Sequence, residues 1–123
     1  MKRILIADDE APLRMVMREL LEHVDYEVLE AADGNEAIRV VEKDAPDLLI
    51  TDILMPGKAG IETIKELRRD HPELRIIAMS GGGQIGSKDV LKLADSLDIS
   101  GTLEKPFRAD DLVNLVSQAL SSE

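Results

Sequence analysis

"ILIADDEAP", residues 4–12, is an apolar run that breaks off into three consecutive acids. The run suits a strand covered on both faces, as in a parallel sheet. Strand stability gives no reason for Asp8, Asp9 and Glu10 to stand side by side. Like charges crowded at the end of a buried element repel one another unless a cation sits among them. Two questions follow: whether other segments repeat the pattern, and what supplies the positive charge.

The apolar run recurs along the chain. "RILIA" (3–7), "DLLIT" (47–51) and "RIIAMS" (75–80) are nearly continuous apolar runs. "YEVLEA" (26–31) carries more charge, as an edge strand does, and "GTLEK" (101–105) is a short fifth candidate for the other edge. Helical stripes lie between them. Leu13, Val16, Met17, Leu20, Leu21 and Val24 recur at spacings of three and four in the first. Ala37, Ile38 and Val41 mark the second, closed by Pro46, and Ile61, Ile64 and Leu67 the third, stopped before Pro72. Val90, Ala94 and Leu97 mark a fourth, and Leu112, Val116, Ala119 and Leu120 a fifth. Strict β-α alternation predicts an α/β, doubly wound, five-stranded parallel sheet with right-handed crossovers and strand order 2-1-3-4-5. In that order the connections leave to opposite faces between the first and third strands, and ligands bind at the carboxyl ends beside such a switch point.

Composition bounds the function. A chain of 123 residues fits one compact domain. With one Tyr and one Phe, the core must be aliphatic. The absence of cysteine rules out disulfides and thiolate metal sites. A net charge of −10 argues against direct binding to nucleic acid, whose phosphates want a basic surface. No leader pattern opens the chain and no apolar run nears the ~20 residues that span a bilayer, so a cytoplasmic protein with no membrane association is expected.

The acids then find partners. In the predicted fold Asp8 and Asp9 follow the first strand, Asp52 ends the third, Ser80 the fourth and Lys105 the fifth. A lone Asp after a strand is usually a helix cap, and a lone Lys before Pro is usually solvated. Their joint placement at four strand ends is what points to chemistry. Carboxylates gathered without His or Cys favour a hard, oxygen-loving cation such as Mg²⁺. An Asp carboxylate can attack phosphorus to give an aspartyl phosphate, with the cation and Lys105 offsetting charge on the phosphoryl oxygens. Asp52, beside the metal-binding acid pair, is the best nucleophile.

From end to end the chain resembles the receiver domains of two-component response regulators. The matching pieces are "DDE" after the first strand, "DILMPGKAGIE" from Asp52, "MSG" at Ser80 and "KPF" at Lys105. The resemblance implies the flavodoxin-like receiver fold and a phosphorylation-dependent signalling switch, not an enzyme acting on a separate substrate. It implies that Asp52 accepts the phosphoryl group from a histidine kinase or phosphotransfer protein. Asp9 would bind Mg²⁺ directly, Asp8 largely through water, and the main-chain carbonyl of Leu54 would add an oxygen. Ser80 would be the switch hydroxyl, Lys105 the ion-pair partner of the phosphoryl group, and Lys105–Pro106 a cis bond. The fifth helical segment runs to the closing "SSE", so a single receiver domain over 1–123 without an output domain is expected. Its output would pass to a downstream protein target or onward in a phosphorelay. His23 and His71, near helix ends, read as solvated.

Three departures stand out: Thr102 replaces the usual aromatic three residues before Lys105, Ala59 replaces a common acid, and "GGGQIGS" (81–87) is glycine-rich. Gly81, Gly83 and Gly86 fit G-x-G-x-x-G, and Gly81 and Gly86 have P-loop spacing. Only one strand follows, however, and Ser87-Lys88 inverts the required Lys-Ser order. A haloacid-dehalogenase-type phosphatase would need D-x-D after the first strand, where these acids are adjacent. A receiver that only binds partners would not need the full set of Asp8, Asp9, Asp52, Ser80 and Lys105.

Overall fold

Side chains alternate across a strand, so an unbroken apolar run needs cover on both faces. The computed structural model, which describes residues 1–53, 60–81 and 97–121, supplies that cover. Its elements run β1 (Arg3–Ala7), α1 (Ala11–His23), β2 (Glu27–Ala31), α2 (Gly34–Asp44), β3 (Leu48–Asp52), α3 (Gly60–Asp70), β4 (Arg75–Gly81), β5 (Gly101–Lys105) and α4 (Ala109–Ser121). Every strand pair is parallel, and the order β2-β1-β3-β4-β5 is the one the alternation predicts. The segment predicted as the fourth helix lies largely outside the described residues. Of its stripe only Leu97 is described, and it is buried.

The two faces of the sheet hold two cores. Ile4, Ile6 and Ile50 pack with Met17 and Leu21 of α1 and with Leu112 and Val116 of α4. Leu5, Ala7 and Leu49 pack with Ala37 and Val41 of α2 and with Ile64 and Leu67 of α3. Thus α1 covers one face and α2 the other, which puts the switch point at the carboxyl ends of β1 and β3. Among the described residues no helix is long and apolar enough to cross a membrane.

One expectation needs correction. The stripe on α1 is narrower than its sequence implies: Val16 is 52% exposed and Val24 39%. At about 100° per residue, Val16 lies a quarter-turn or more away from Met17, on the side opposite Leu21. Val24 is the C-cap, past the last helical turn. The ends of α2 follow the rules more closely. The Asp33 carboxylate accepts from the Glu36 N–H at 2.8 Å, while Glu36 accepts from the Ala32 N–H at 2.9 Å.

Helix α3 begins where β3 has just ended, and Gly60 sets how close it comes. A Cβ on Gly60 would overlap the main-chain carbonyl oxygens of Asp52 and Ile53. These are backbone atoms of a strand held by the Ile53 N–H donating to the Met79 carbonyl at 2.9 Å, so neither can step aside cheaply. Overpacking of this kind costs about 1–3 kcal/mol or more. Gly60→Ala should therefore lower the melting temperature by several degrees in a thermal denaturation. An unchanged midpoint would mean that α3 can shift away from β3 freely.

Candidate functional site

Parallel strands bring their carboxyl ends to one edge, and register decides which residues meet there. Ala7 pairs with Thr51 and Asp52 with Met79, while Ser80 pairs with Glu104 and Gly81 with Lys105. Asp8, one residue past β1, therefore lies level with Asp52 at the end of β3, and Ser80 lies one step beyond it on β4. Lys105 closes β5. The structure thus brings together the side chains of Asp8, Asp52 and Lys105 and sets Ser80 in the adjoining strand.

The Lys105 ammonium is the hub. Its Nζ donates to Asp52 Oδ2 at 2.6 Å and to Asp8 Oδ2 at 2.7 Å, and lies 3.8 Å from Glu10 Oε2. Burial works against its charge, but the hydrogen bonds to Asp52 and Asp8 outweigh burial and raise its pKa above the ordinary lysine value. Asp8 has no solvent exposure, and its other oxygen, Oδ1, accepts from the Glu10 N–H at 2.8 Å. Asp52 is 7% exposed and Ser80 8%. Asp9 is exposed.

A divalent cation fits the donor set. One carboxylate oxygen each from Asp8, Asp9 and Asp52 lie within 4.8 Å of one another. Among the described residues the ammonium beside this group is that of Lys105, so the three carboxylates carry a surplus of two negative charges over it. The donors are hard oxygens with no imidazole or thiolate among them, the preference of Mg²⁺ rather than of zinc. The predicted carbonyl ligand, from Leu54, lies outside the described residues, as do Ala59 and the glycine run after Gly81. Thr102 is partly buried on β5 opposite Ala78, and the Lys105–Pro106 bond is cis.

Glu10, the third of the crowded acids, approaches Lys105. One participant escaped the sequence reading: the Arg14 guanidinium reaches back from α1 to the Asp8 carbonyl oxygen at 2.5 Å. Arg14 and Arg18 sit four residues apart on one flank of the apolar stripe, and that spacing was the available signal. A cleft of about 530 Å³ lies elsewhere, lined by Arg68, Arg75, Asp98 and Ser100 at the amino ends of β4 and β5. Its Arg68 is spent on the carbonyl oxygens of Pro72, Leu97 and Asp98, so it ties loops together. The chemistry belongs to the carboxyl ends.

Comparison with known proteins agrees. The sequence matches the response regulator receiver domain family over residues 4–117. It is 35% identical over 118 residues to chemotaxis protein CheY of Thermotoga maritima, covering 95% of this chain and 98% of that protein. It is 30% identical over 119 residues to sporulation initiation phosphotransferase F of Bacillus subtilis, covering 97% of this chain and 94% of that one. Against transcriptional regulatory protein PdtaR of Mycobacterium tuberculosis, 36% identical over 123 residues and 98% of this chain, it spans only 57% of the relative's length. A receiver domain from Clostridium thermocellum superposes with a TM-score of 0.89 at 29% identity, covering 98% of this chain and 95% of that one. The chain belongs to the response regulator receiver domain family, whose domain is a phosphoacceptor switch of two-component signalling.

Proposed function

We propose that Asp52 is the phosphoacceptor of this switch, that Asp8, Asp9 and Asp52 hold Mg²⁺ with the Leu54 carbonyl as a further oxygen, and that Ser80 and Lys105 read the phosphoryl group. Family membership implies a kinase or phosphotransfer partner, and we assign the donor as a phosphohistidine. A downstream protein target would receive the output. A cytoplasmic location suits a cysteine-free switch of this kind.

The observation that carries the assignment is the unequal position of the two buried aspartates around Lys105. Asp8 is fully enclosed, with one oxygen on the Glu10 N–H and the other on Lys105. Asp52 shares the ammonium but retains some exposure, so phosphorus can reach it. A carboxylate oxygen of Asp52 attacks phosphorus, the P–N bond breaks with its electron pair going to the ring nitrogen, and the donor's imidazole, already protonated on its other nitrogen, leaves neutral. Mg²⁺ supplies charge neutralisation for the phosphoryl oxygens when bound. Lys105 keeps its charge because of its carboxylate partners and passes from Asp52 to the new phosphoryl oxygens. The Ser80 hydroxyl, one step beyond Asp52 in the ladder, donates to another of them and draws the end of β4 inward.

Three measurements check this. Mg²⁺ at ten times its dissociation constant should stabilise the wild type by about 1.4 kcal/mol through linkage. Asp9→Ala should lose that rise in melting temperature, and equal stabilisation of both proteins counts against the metal site. Incubation with acetyl phosphate and Mg²⁺ should add one phosphate, seen by intact mass and released by alkali. Asp52→Asn should remove the adduct, and its persistence would move the acceptor elsewhere. Ser80→Ala should still accept phosphate but show smaller amide shift changes along β4 and β5, whereas Lys105→Ala should impair acceptance too. Wild-type shift changes in Ser80→Ala would release Ser80 from the coupling role.

A further inference from the structure

A metal ligand on a loop is only as well placed as the peptide it hangs from. Asp9 is exposed and lies just past β1, so its own side chain has little packing to hold it. The residue before it, Asp8, is held at both of its main-chain groups. The Asp8 N–H donates to the Ala31 carbonyl at 3.0 Å, and the Asp8 carbonyl accepts from Arg14 Nη1 at 2.5 Å. That carbonyl belongs to the peptide linking Asp8 to Asp9, so its orientation sets where Asp9 begins.

Arg14 is itself anchored. Its Nε donates to Glu30 Oε1 at 3.0 Å, and its side chain is only 16% exposed. The other Glu30 oxygen accepts from Arg18 Nη1 at 2.8 Å, and Arg18 continues to Glu22 at 3.2 Å. The Arg14 main chain is fixed too, its N–H donating to the Glu10 carbonyl at 3.1 Å. A partly buried ion pair between α1 and β2 therefore ends on the one carbonyl that aims the acidic pair.

We infer that Arg14 is a positioning residue for the cation site, bracing the Asp8–Asp9 peptide against Glu30 so that Asp9 is preset to bind. This inference rests on the Mg²⁺ reading above. Electrostatics alone makes the opposite claim. A guanidinium beside a cation site repels the cation, so its removal should tighten binding. The positioning role requires the reverse, because partners outside a metal's ligand shell typically account for 10–100-fold in affinity. Lysine keeps the charge but lacks the fork that serves the carbonyl and Glu30 together.

The test is Mg²⁺ affinity by isothermal titration calorimetry on the wild type, Arg14→Met and Arg14→Lys at one ionic strength, with folding checked by circular dichroism. Arg14→Met should bind about tenfold more weakly despite losing a positive charge, and Arg14→Lys should fall between it and the wild type. In the metal-free proteins the Asp9 amide nitrogen, bonded to the carbonyl that Arg14 serves, should shift in both variants. Affinity equal to or tighter than wild type in either variant overturns the inference, even with a lowered melting temperature, since that marks a purely structural brace. Should Arg14→Met fail to fold, Arg14→Lys decides alone, because its charge is unchanged. A wild type that binds no Mg²⁺ overturns the function reading and this inference together, whereas wild-type binding with unaltered variants overturns this inference only.

Discussion

The Lys105 ammonium ties the described part of the site together, and its reach constrains the strands around it. Lys105 stands on the edge strand β5, while the carboxylates it binds, Asp52 and Asp8, lie at the ends of β3 and β1. Between them runs β4, which the lysine must cross. The crossing is open because β4 ends in Ser80 and Gly81, two of the smallest residues available. Bulk at either place would stand between the ammonium and its partners. Removing that ammonium would leave Asp8 with no exposure and one oxygen unpaired by charge, a costly state for a buried carboxylate.

The same arrangement makes the resting site ready to change. Among the described residues, three carboxylates beside the Lys105 ammonium retain an excess of negative charge that a divalent cation can balance. A phosphoryl group at Asp52 would replace the carboxylate oxygen that Lys105 now holds with other anionic oxygens nearby. The ammonium would exchange one anionic partner for another, so it is never left bare in the dry part of the site.

Much of this was legible in the sequence because the features are chemically expensive. Strands covered on both faces must be apolar throughout, so 3–7, 47–51 and 75–80 stand out from amphipathic surroundings. Acids placed at the ends of such runs need a cation, and that need pointed to the site before any fold was known. The apolar pattern is blunter for helices. Val16 and Val24 match the spacing of a stripe, yet lie outside the arc that contacts the sheet. Contacts between distant residues were less legible still. Lys105 and Asp8 are 97 positions apart, and only the strand order brings them together. Arg14 was missed for a different reason: arginine on a surface helix reads as solvated until the strand beside it is placed and Glu30 appears opposite.

The two cations near the acids divide the work according to their chemistry. Lys105 carries a compact charge on a flexible stem, which suits a group that binds two carboxylates and, in the proposed function, would pass to a phosphoryl group. Arg14 presents a planar fork, and it spends that fork on targets that have no reason to change, a main-chain carbonyl and the Glu30 carboxylate. Its hydrogen bonds are directed by the fork's fixed geometry, so they set orientation as well as charge. Exchanging the two residue types would give a rigid group where release is needed and a loose one where aim is needed. The acids of "DDE" therefore meet one cation that can let go and another, one turn into α1, that holds their backbone still.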